Sequence, residues 1–116
     1  MFTGIVTHLG TVVSLEHDAA ADTALVTLDA GGALDGLPAG GSLAVDGVCL
    51  TALDGPAERP GVFRADLMGQ TLRMTSLGDR APGDRVNLET DVLARYAERL
   101  ALIPSAPAAP TEEARP

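Results

Sequence analysis

Apolar positions recur with a period of two along most of this chain. Segments rich in Val, Leu and Thr are separated by clusters of Gly, Pro and Asp, which is typical of β-strands joined by turns. The predicted strands cover residues 4–17, 23–30, 42–45, 48–53, 61–67 and 85–89. Six short strands within about 90 residues predict a closed β-barrel or a β-sandwich.

The strongest turn signal is Asp46-Gly47, between two of these strands. A two-residue hairpin of type I′ needs positive φ at both central positions, and the Asp-Gly pair adopts that conformation at little cost. The sequence therefore predicts a tight hairpin between strands 42–45 and 48–53.

The period changes near residue 90. A helical stripe is formed by Val92, Leu93, Tyr96, Ala97, Leu100 and Ile103. Glu89 and Asp91 lie at the start of the stripe and Arg95 and Arg99 toward its end, which suits the helix dipole, and Pro104 ends the pattern. We expect a barrel over 1–89, an oligomerisation helix over 90–103 and a disordered Pro/Ala-rich tail over 104–116. The alternative is that the stripe packs back onto its own barrel.

Charge and composition exclude several classes of partner. The 116-residue chain has a formal net charge of −8 and 8 cationic side chains, all of them Arg, so nucleic acid is not an expected partner. No apolar run approaches the roughly 20 residues that span a membrane, and none resembles a signal peptide. A single cysteine, Cys49, cannot form an internal disulfide. We expect a cytoplasmic protein without membrane contact.

Common catalytic motifs are scarce. The sequence contains no GxGxxG, P-loop, HExxH or GxSxG pattern. The only imidazoles are His8 and His17. The cluster Glu16–Asp18 has metal-ligating side chains, but it is more typical of a solvated loop between strands. We expect neither a metal nor a catalytic residue from these features.

Several separated motifs resemble the lumazine-binding barrel of the riboflavin synthase family. They are "MFTGIV", "LGTVVSL", "GLPAGGSLAVDGVCLT" and "FRADLMGQTLRMTSLGDRAPGDRVNLE", and the resemblance covers nearly all of residues 1–101. The resemblance implies an all-β fold, a six-stranded antiparallel Greek-key barrel with one C-terminal α-helix. The implied ligand is riboflavin or 6,7-dimethyl-8-ribityllumazine.

The resemblance also implies a binding site. The residues it places around the ligand are Gly4, Ile5, Val6, Ser42, Cys49, Leu50, Thr51, Asp66, Leu67, Met68, Gly69, Gln70 and Thr71. Apolar members of this set would wall the flat ring, while hydroxyls and Asp66 would bind the ribityl chain. These segments contain no basic cluster for a phosphate, so an uncharged ribityl compound is favoured over FMN or FAD.

Four departures from the family pattern bear on function. The family's enzyme carries two such barrels, whereas this sequence contains one copy of "GIV" and of "DLM". The glycine-rich, His-containing stretch that follows the family's first barrel is absent, and Gly69-Gln70 stands where Pro-Glu is common. The final helical segment resembles the helix that ends the family's second barrel.

These departures favour a non-catalytic single-barrel protein for flavin storage, sequestration or delivery. The alternative is a riboflavin synthase formed by homo-oligomerised single barrels, and a third interpretation is a structural or sensory module. The helix predicts a homo-oligomer, a trimer first and a dimer second.

Overall fold

A computed structural model describes residues 2–55 and 58–102 and contains the six strands expected from the sequence. The strands are β1 (His8–Asp18), β2 (Thr23–Asp29), β3 (Ser42–Val45), β4 (Val48–Thr51), β5 (Val62–Met68) and β6 (Arg85–Thr90). The helices are α1 (Gly69–Met74) and α2 (Val92–Leu102), with 3-10 turns at Gly31–Leu34 and Ser76–Asp79.

The strands form one sheet in the order β4-β3-β6-β1-β2-β5, and every neighbouring pair is antiparallel. The long strand β1 pairs with two neighbours: its residues His8–Thr11 pair with β6, and its residues Thr11–Asp18 pair with β2. The two ends of the sheet meet where the Leu53 N–H donates to the Arg64 carbonyl over 2.9 Å. The predicted six-stranded antiparallel barrel is confirmed, and it is nearly closed.

The barrel interior is filled by alternate residues of the strands, mostly Val, Leu and Ala. Its largest fully buried side chains are Phe63, Leu28, Leu43, Leu67, Leu88, Val12, Val45 and Val86. The period of two in the sequence thus separates the inner and outer faces of each strand. The outer face is the one that remains available for a ligand.

The predicted hairpin joins β3 to β4. Asp46 and Gly47 have φ values of 49° and 82°, both in the left-handed region that a type I′ turn requires. The Asp46 carboxylate accepts from the Asn87 N–H at 2.8 Å and from Arg80 Nη2 at 2.7 Å. The turn is therefore fastened to β6 and to the loop before it.

The chain ends differ in detail from the sequence expectations. Residues 4–7 are not in the first strand, which begins at His8. The predicted helix is observed from Val92 to Leu102, whereas Ile103, the tail 104–116 and the side chain of Leu93 lie outside what the structure describes. No described helix is long and apolar enough to cross a membrane.

Candidate functional site

Two rows of side chains cross the outer face of β3 and β4. The strand register pairs Ser42 with Thr51 and Ala44 with Cys49. Their neighbours in sequence, including Leu43 and Val45, lie in the core. Because side chains alternate across a strand, both rows point away from the core. Cys49 and Thr51 are exposed, and so these rows are accessible from outside the barrel.

Next to β4 lies the line along which the barrel closes against β5. We call this line between the two edge strands the seam. These two strands are the opposite edges of the sheet and form no ladder with each other. One end of the seam is fixed by the Leu53–Arg64 backbone bond. The same end carries a two-pronged ion pair, in which Arg64 Nε and Nη2 donate to the Asp54 carboxylate at 2.6 and 3.1 Å.

Backbone groups on β4 point into this seam. The Ala52 N–H donates to the Gly41 carbonyl, toward β3, and the next N–H, that of Leu53, points the opposite way to β5. Successive backbone groups of a strand alternate in direction, so those of Cys49 and Thr51 also face β5. Continuing the antiparallel register from Leu53–Arg64 brings Thr51 opposite Asp66 and Cys49 opposite Met68. Asp66 and Met68 are exposed.

The N-terminal segment 3–7 covers the other side of the same face. The Glu89 carboxylate accepts hydrogen bonds from the Thr3 N–H, from Thr3 Oγ1 at 2.7 Å and from the Gly4 N–H at 2.9 Å. Glu89 pairs with Ala44 across β6 and β3. Both residues point outward and yet are buried, and the carboxylate of Glu89 is covered by the segment that it binds.

Two apolar side chains project from this segment into solvent. Ile5 is 68% exposed and Val6 is 49% exposed. Gly4, Val6 and Glu89 border a cavity of about 370 Å³. Ala44, Asp46, Gly47, Arg80 and Asn87 line its remaining sides. This cavity adjoins the Ala44–Cys49 row.

The structure brings most of the expected site residues to this one outer face. Those on it are Gly4, Ile5, Val6, Ser42, Cys49, Thr51, Asp66 and Met68. Leu50 and Leu67 differ from the expectation that they wall a ligand, because their side chains are 6% and 1% exposed and pack in the barrel core.

The last three expected residues begin α1, directly after β5. Gly69 is buried, and a Cβ at this position would overlap the carboxylate of Asp22. Gln70 is exposed, whereas the Thr71 carbonyl accepts from Thr75 Oγ1 at 2.7 Å. Within this trio, Gln70 has the side chain with free access to solvent.

The charges around the seam are balanced against each other. The hydrogen bond from Arg64 holds the pKa of Asp54 below its ordinary value, against the effect of burial. The same bond raises the pKa of Arg64, and Asp66 and Glu16 add to that effect. Arg59, Arg64, Arg73 and Arg80 each lie within 4.0 Å of an aspartate. Arg59 and Arg64 share Asp54, whereas Arg73 and Arg80 each have an aspartate of their own.

The residues that sequence reasoning did not assign to the site are Glu89, Ala44, Asp46 and Arg80. Glu89 ends the quoted motif "VNLE", but its partners are 85 and 86 positions away, so no local pattern reveals them. His8 is exposed, and its Nδ1 lies 3.0 Å from Thr7 Oγ1. Among residues 2–55 and 58–102, no cluster of three or more His, Cys, Asp or Glu side chains is placed to hold a metal ion.

Comparison with known proteins points to one family. The family profile described as "Lumazine binding domain" matches residues 3–91. Riboflavin synthase of Mycobacterium bovis is 47% identical over 94 residues, which cover 77% of this chain and 42% of that protein. Riboflavin synthase of Bacillus subtilis is 37% identical over 89 residues, covering 77% and 39%. The chain thus spans less than half the length of these relatives.

Solved structures of LumP share the fold. Its complexes with riboflavin, with 6,7-dimethyl-8-(1'-D-ribityl) lumazine and with flavin mononucleotide each align with a TM-score of 0.68 at 19% identity. The alignments cover 77% of this chain and 46 to 48% of LumP.

Proposed function

The chain belongs to the lumazine-binding-domain family, and from that premise we propose that its barrel binds riboflavin or 6,7-dimethyl-8-ribityllumazine without chemical turnover, as a storage, sequestration or delivery protein. The observation that carries the proposal is the open seam between β4 and β5. There the backbone of Cys49 and Thr51 faces the edge that carries Asp66 and Met68.

The seam suits both parts of such a ligand. Strand-edge N–H and C=O groups match the donor and acceptor pattern of a ring imide, and Met68 and Ile5 offer exposed apolar surface for the flat ring. The hydroxyls of Ser42 and Thr51 and the carboxylate of Asp66 are groups that pair with a polyol. An uncharged ribityl compound fits a site whose nearby arginines are already paired with aspartates.

The proposal assigns parts of the chain to separate roles. The described part of residues 1–89 is the ligand-binding barrel and α2 is the oligomerisation helix, whereas the tail expected over 104–116 lies outside the described residues. The assembly is a homo-oligomer, a trimer first and a dimer second. The exposed side chains of Val92, Tyr96 and Leu100 support self-association, because they lie on one face of α2.

A second candidate function is riboflavin synthase, which the names of the relatives favour. That reaction converts two molecules of 6,7-dimethyl-8-ribityllumazine into riboflavin and 5-amino-6-ribitylaminouracil by moving a four-carbon unit between them. Two ligands must then be held face to face, since much of the rate comes from their orientation. One outer-face site per barrel can meet this requirement only when two barrels pair.

Purified full chain distinguishes the two functions. We expect riboflavin to co-elute with the protein in gel filtration and to titrate to one ligand per chain by fluorescence quenching. We expect added lumazine to bind without producing riboflavin. Riboflavin formation at about 1 per second or faster would overturn the non-catalytic proposal in favour of the synthase. Failure to bind either compound would overturn both.

A further inference from the structure

The carboxylate of Glu89 is an unusual feature of the outer face. It is 6% exposed although it lies on the outward side of β6, and no arginine is recorded as its partner in the described part of the chain. Its hydrogen bonds go instead to a peptide segment, through the backbone N–H groups of Thr3 and Gly4 and through Thr3 Oγ1. A buried acid satisfied in this way fixes the position of that segment.

The contacts continue along the segment. Thr3 Oγ1, which donates to Glu89, accepts from the Ile5 N–H at 3.1 Å. At the far end, the Thr7 N–H donates to the Leu88 carbonyl at 2.9 Å. Residues 3–7 are therefore tied to β6 at both ends, and Ile5 and Val6 lie between the ties.

The fixed segment borders the proposed ligand site. Glu89, Ala44 and Cys49 are successive partners across β6, β3 and β4, and neighbouring strands are about 5 Å apart. The segment bound to Glu89 therefore lies about two strand spacings, roughly 10 Å, from the exposed Cys49, and its Gly4 and Val6 line the same cavity as Ala44. Gly4 has a φ of +85°, and a Cβ built on it would meet no atom within 4 Å. Packing around Gly4 therefore does not fix the conformation of the segment, and the hydrogen bonds to Glu89 do.

We propose that Glu89 is a positioning residue for ligand binding: its carboxylate holds residues 3–6 so that Ile5 and Val6 form an apolar rim of the ligand site. This role rests on the proposed function. In this role Glu89 acts on the ligand through the segment that it holds. The same bonds hold the pKa of Glu89 below its ordinary value, so the carboxylate is ionised at neutral pH.

Glu89→Gln tests the role, because the amide has the same shape but is a weaker acceptor and carries no charge. We expect riboflavin affinity to fall by about tenfold, equivalent to 1.4 kcal/mol. Amide hydrogen exchange at Thr3, Gly4 and Ile5 should accelerate while that of Val86 and Leu28 in the core stays slow. Thr3→Ala, at an exposed position, should lower affinity in the same direction by a smaller factor.

Asp84→Asn is the matched control. Its carboxylate accepts from the Ala81 N–H at 2.8 Å in the loop before β6, so this change also replaces a backbone-bonded acid with an amide. It should leave riboflavin affinity and exchange at residues 3–5 as they are in the parent.

A double-mutant cycle separates positioning from general loss of stability. When Ile5 and Val6 are both replaced by Ala, the rim is gone, and Glu89→Gln should then cost little further affinity. Full additivity overturns the positioning role, as does unchanged affinity in Glu89→Gln at a parent that binds riboflavin. A parent that binds neither riboflavin nor the lumazine removes the proposed function, and this role fails with it.

Discussion

Asp66 is the carboxylate that the outer face offers to a polyol. It is exposed on β5 at the open part of the seam, in line with Thr51. We predict that Asp66→Ala weakens riboflavin binding by about 1–3 kcal/mol, because ribityl hydroxyls would lose a charged hydrogen-bond partner. Fluorescence titration of the variant and the parent measures the difference.

Glu16→Ala is a suitable control for this prediction. Glu16 pairs with Leu25, which pairs in turn with Asp66, so both acids lie on the same outward side of the barrel, two strands apart. Its loss should leave affinity unchanged. Equal effects of the two substitutions would mean that only the overall charge matters and that Asp66 does not touch the ligand.

The Glu89 carboxylate should also make the stability of the folded protein depend on pH in the acid range. Hydrogen bonds from Thr3 and Gly4 hold its pKa below the ordinary value of 4.5. A lowered folded-state pKa means that the ionised carboxylate stabilises the fold fully above the ordinary value, and that this contribution is lost as pH falls through the folded value. Glutamine does not titrate in this range. The stability advantage of the parent over Glu89→Gln should therefore be full near neutrality and shrink below pH 4.5.

Thermal unfolding of both proteins between about pH 7 and about pH 3 measures this advantage. Asp54 also has a lowered pKa, but it is present in both proteins and cancels in the difference. A gap in unfolding temperature that stays constant into acid would show that the charge of Glu89 does not contribute to stability.

Residue types were easier to predict from the sequence than their orientation. The resemblance assigned Leu50 and Leu67 to the ligand walls beside Cys49 and Asp66. The structure places these leucines in the core, because neighbouring strand residues point to opposite faces. The order of apolar and polar letters in "VCLT" and "ADLM" carried this information. Glu89 was not predictable in the same way, since its partners come from the other end of the chain.

At the scale of elements, the β3–β4 hairpin makes a separate prediction. Gly47 has a φ of +82°, and a Cβ there would meet nothing within 4 Å. The cost of Gly47→Ala is therefore backbone strain rather than steric overlap. We predict a loss of about 1–2 kcal/mol in the free energy of unfolding, measured by urea denaturation.

Gly47→Asn serves as the comparison, since Asn tolerates the left-handed region better than Ala. It should lose less stability than Gly47→Ala. If both variants were as stable as the parent, the type I′ turn would not be the conformation in solution.

Elements fixed by local signals were predicted well. The Asp-Gly turn and the Gly- and Pro-rich breaks located all six strands within a few residues. The short α1 was not predicted, since six residues give little periodicity. Residues 4–7 were expected in the first strand because Ile5, Val6 and Thr7 are β-branched, yet the distant Glu89 carboxylate of β6 binds the start of this segment.

For the whole molecule, charge predicts selectivity among flavins. The chain carries a net charge of −8. Each arginine near the seam lies within 4.0 Å of an aspartate, although Arg59 and Arg64 share Asp54. The phosphate of FMN adds a charge of about −1.5 to −2 at neutral pH. We predict that FMN binds about five- to tenfold more weakly than riboflavin, and that the gap narrows when salt screens the repulsion.

Parallel titrations with the two flavins at low and high salt check this prediction. Riboflavin affinity should change little with salt, because the ligand is uncharged. FMN affinity equal to or above that of riboflavin would point to a cationic contact that the described ion pairs do not reveal.

The last prediction at the scale of the whole molecule concerns its oligomeric state. Val92, Tyr96 and Leu100 are 42%, 61% and 50% exposed along one face of α2. An apolar face of this kind is stabilised when copies of the helix pack together. We predict that the full chain is a homo-oligomer at tens of micromolar, a trimer first and a dimer second, and that a chain ending at Asp91 is a monomer that still binds riboflavin.

Tyr96→Glu in the full chain should also dissociate the assembly, whereas Arg85→Glu, an exposed change on β6, should not. Light scattering on the four proteins measures their masses. A monomeric full chain would remove the oligomerisation role of the helix, and with it the pairing of barrels that the synthase alternative requires.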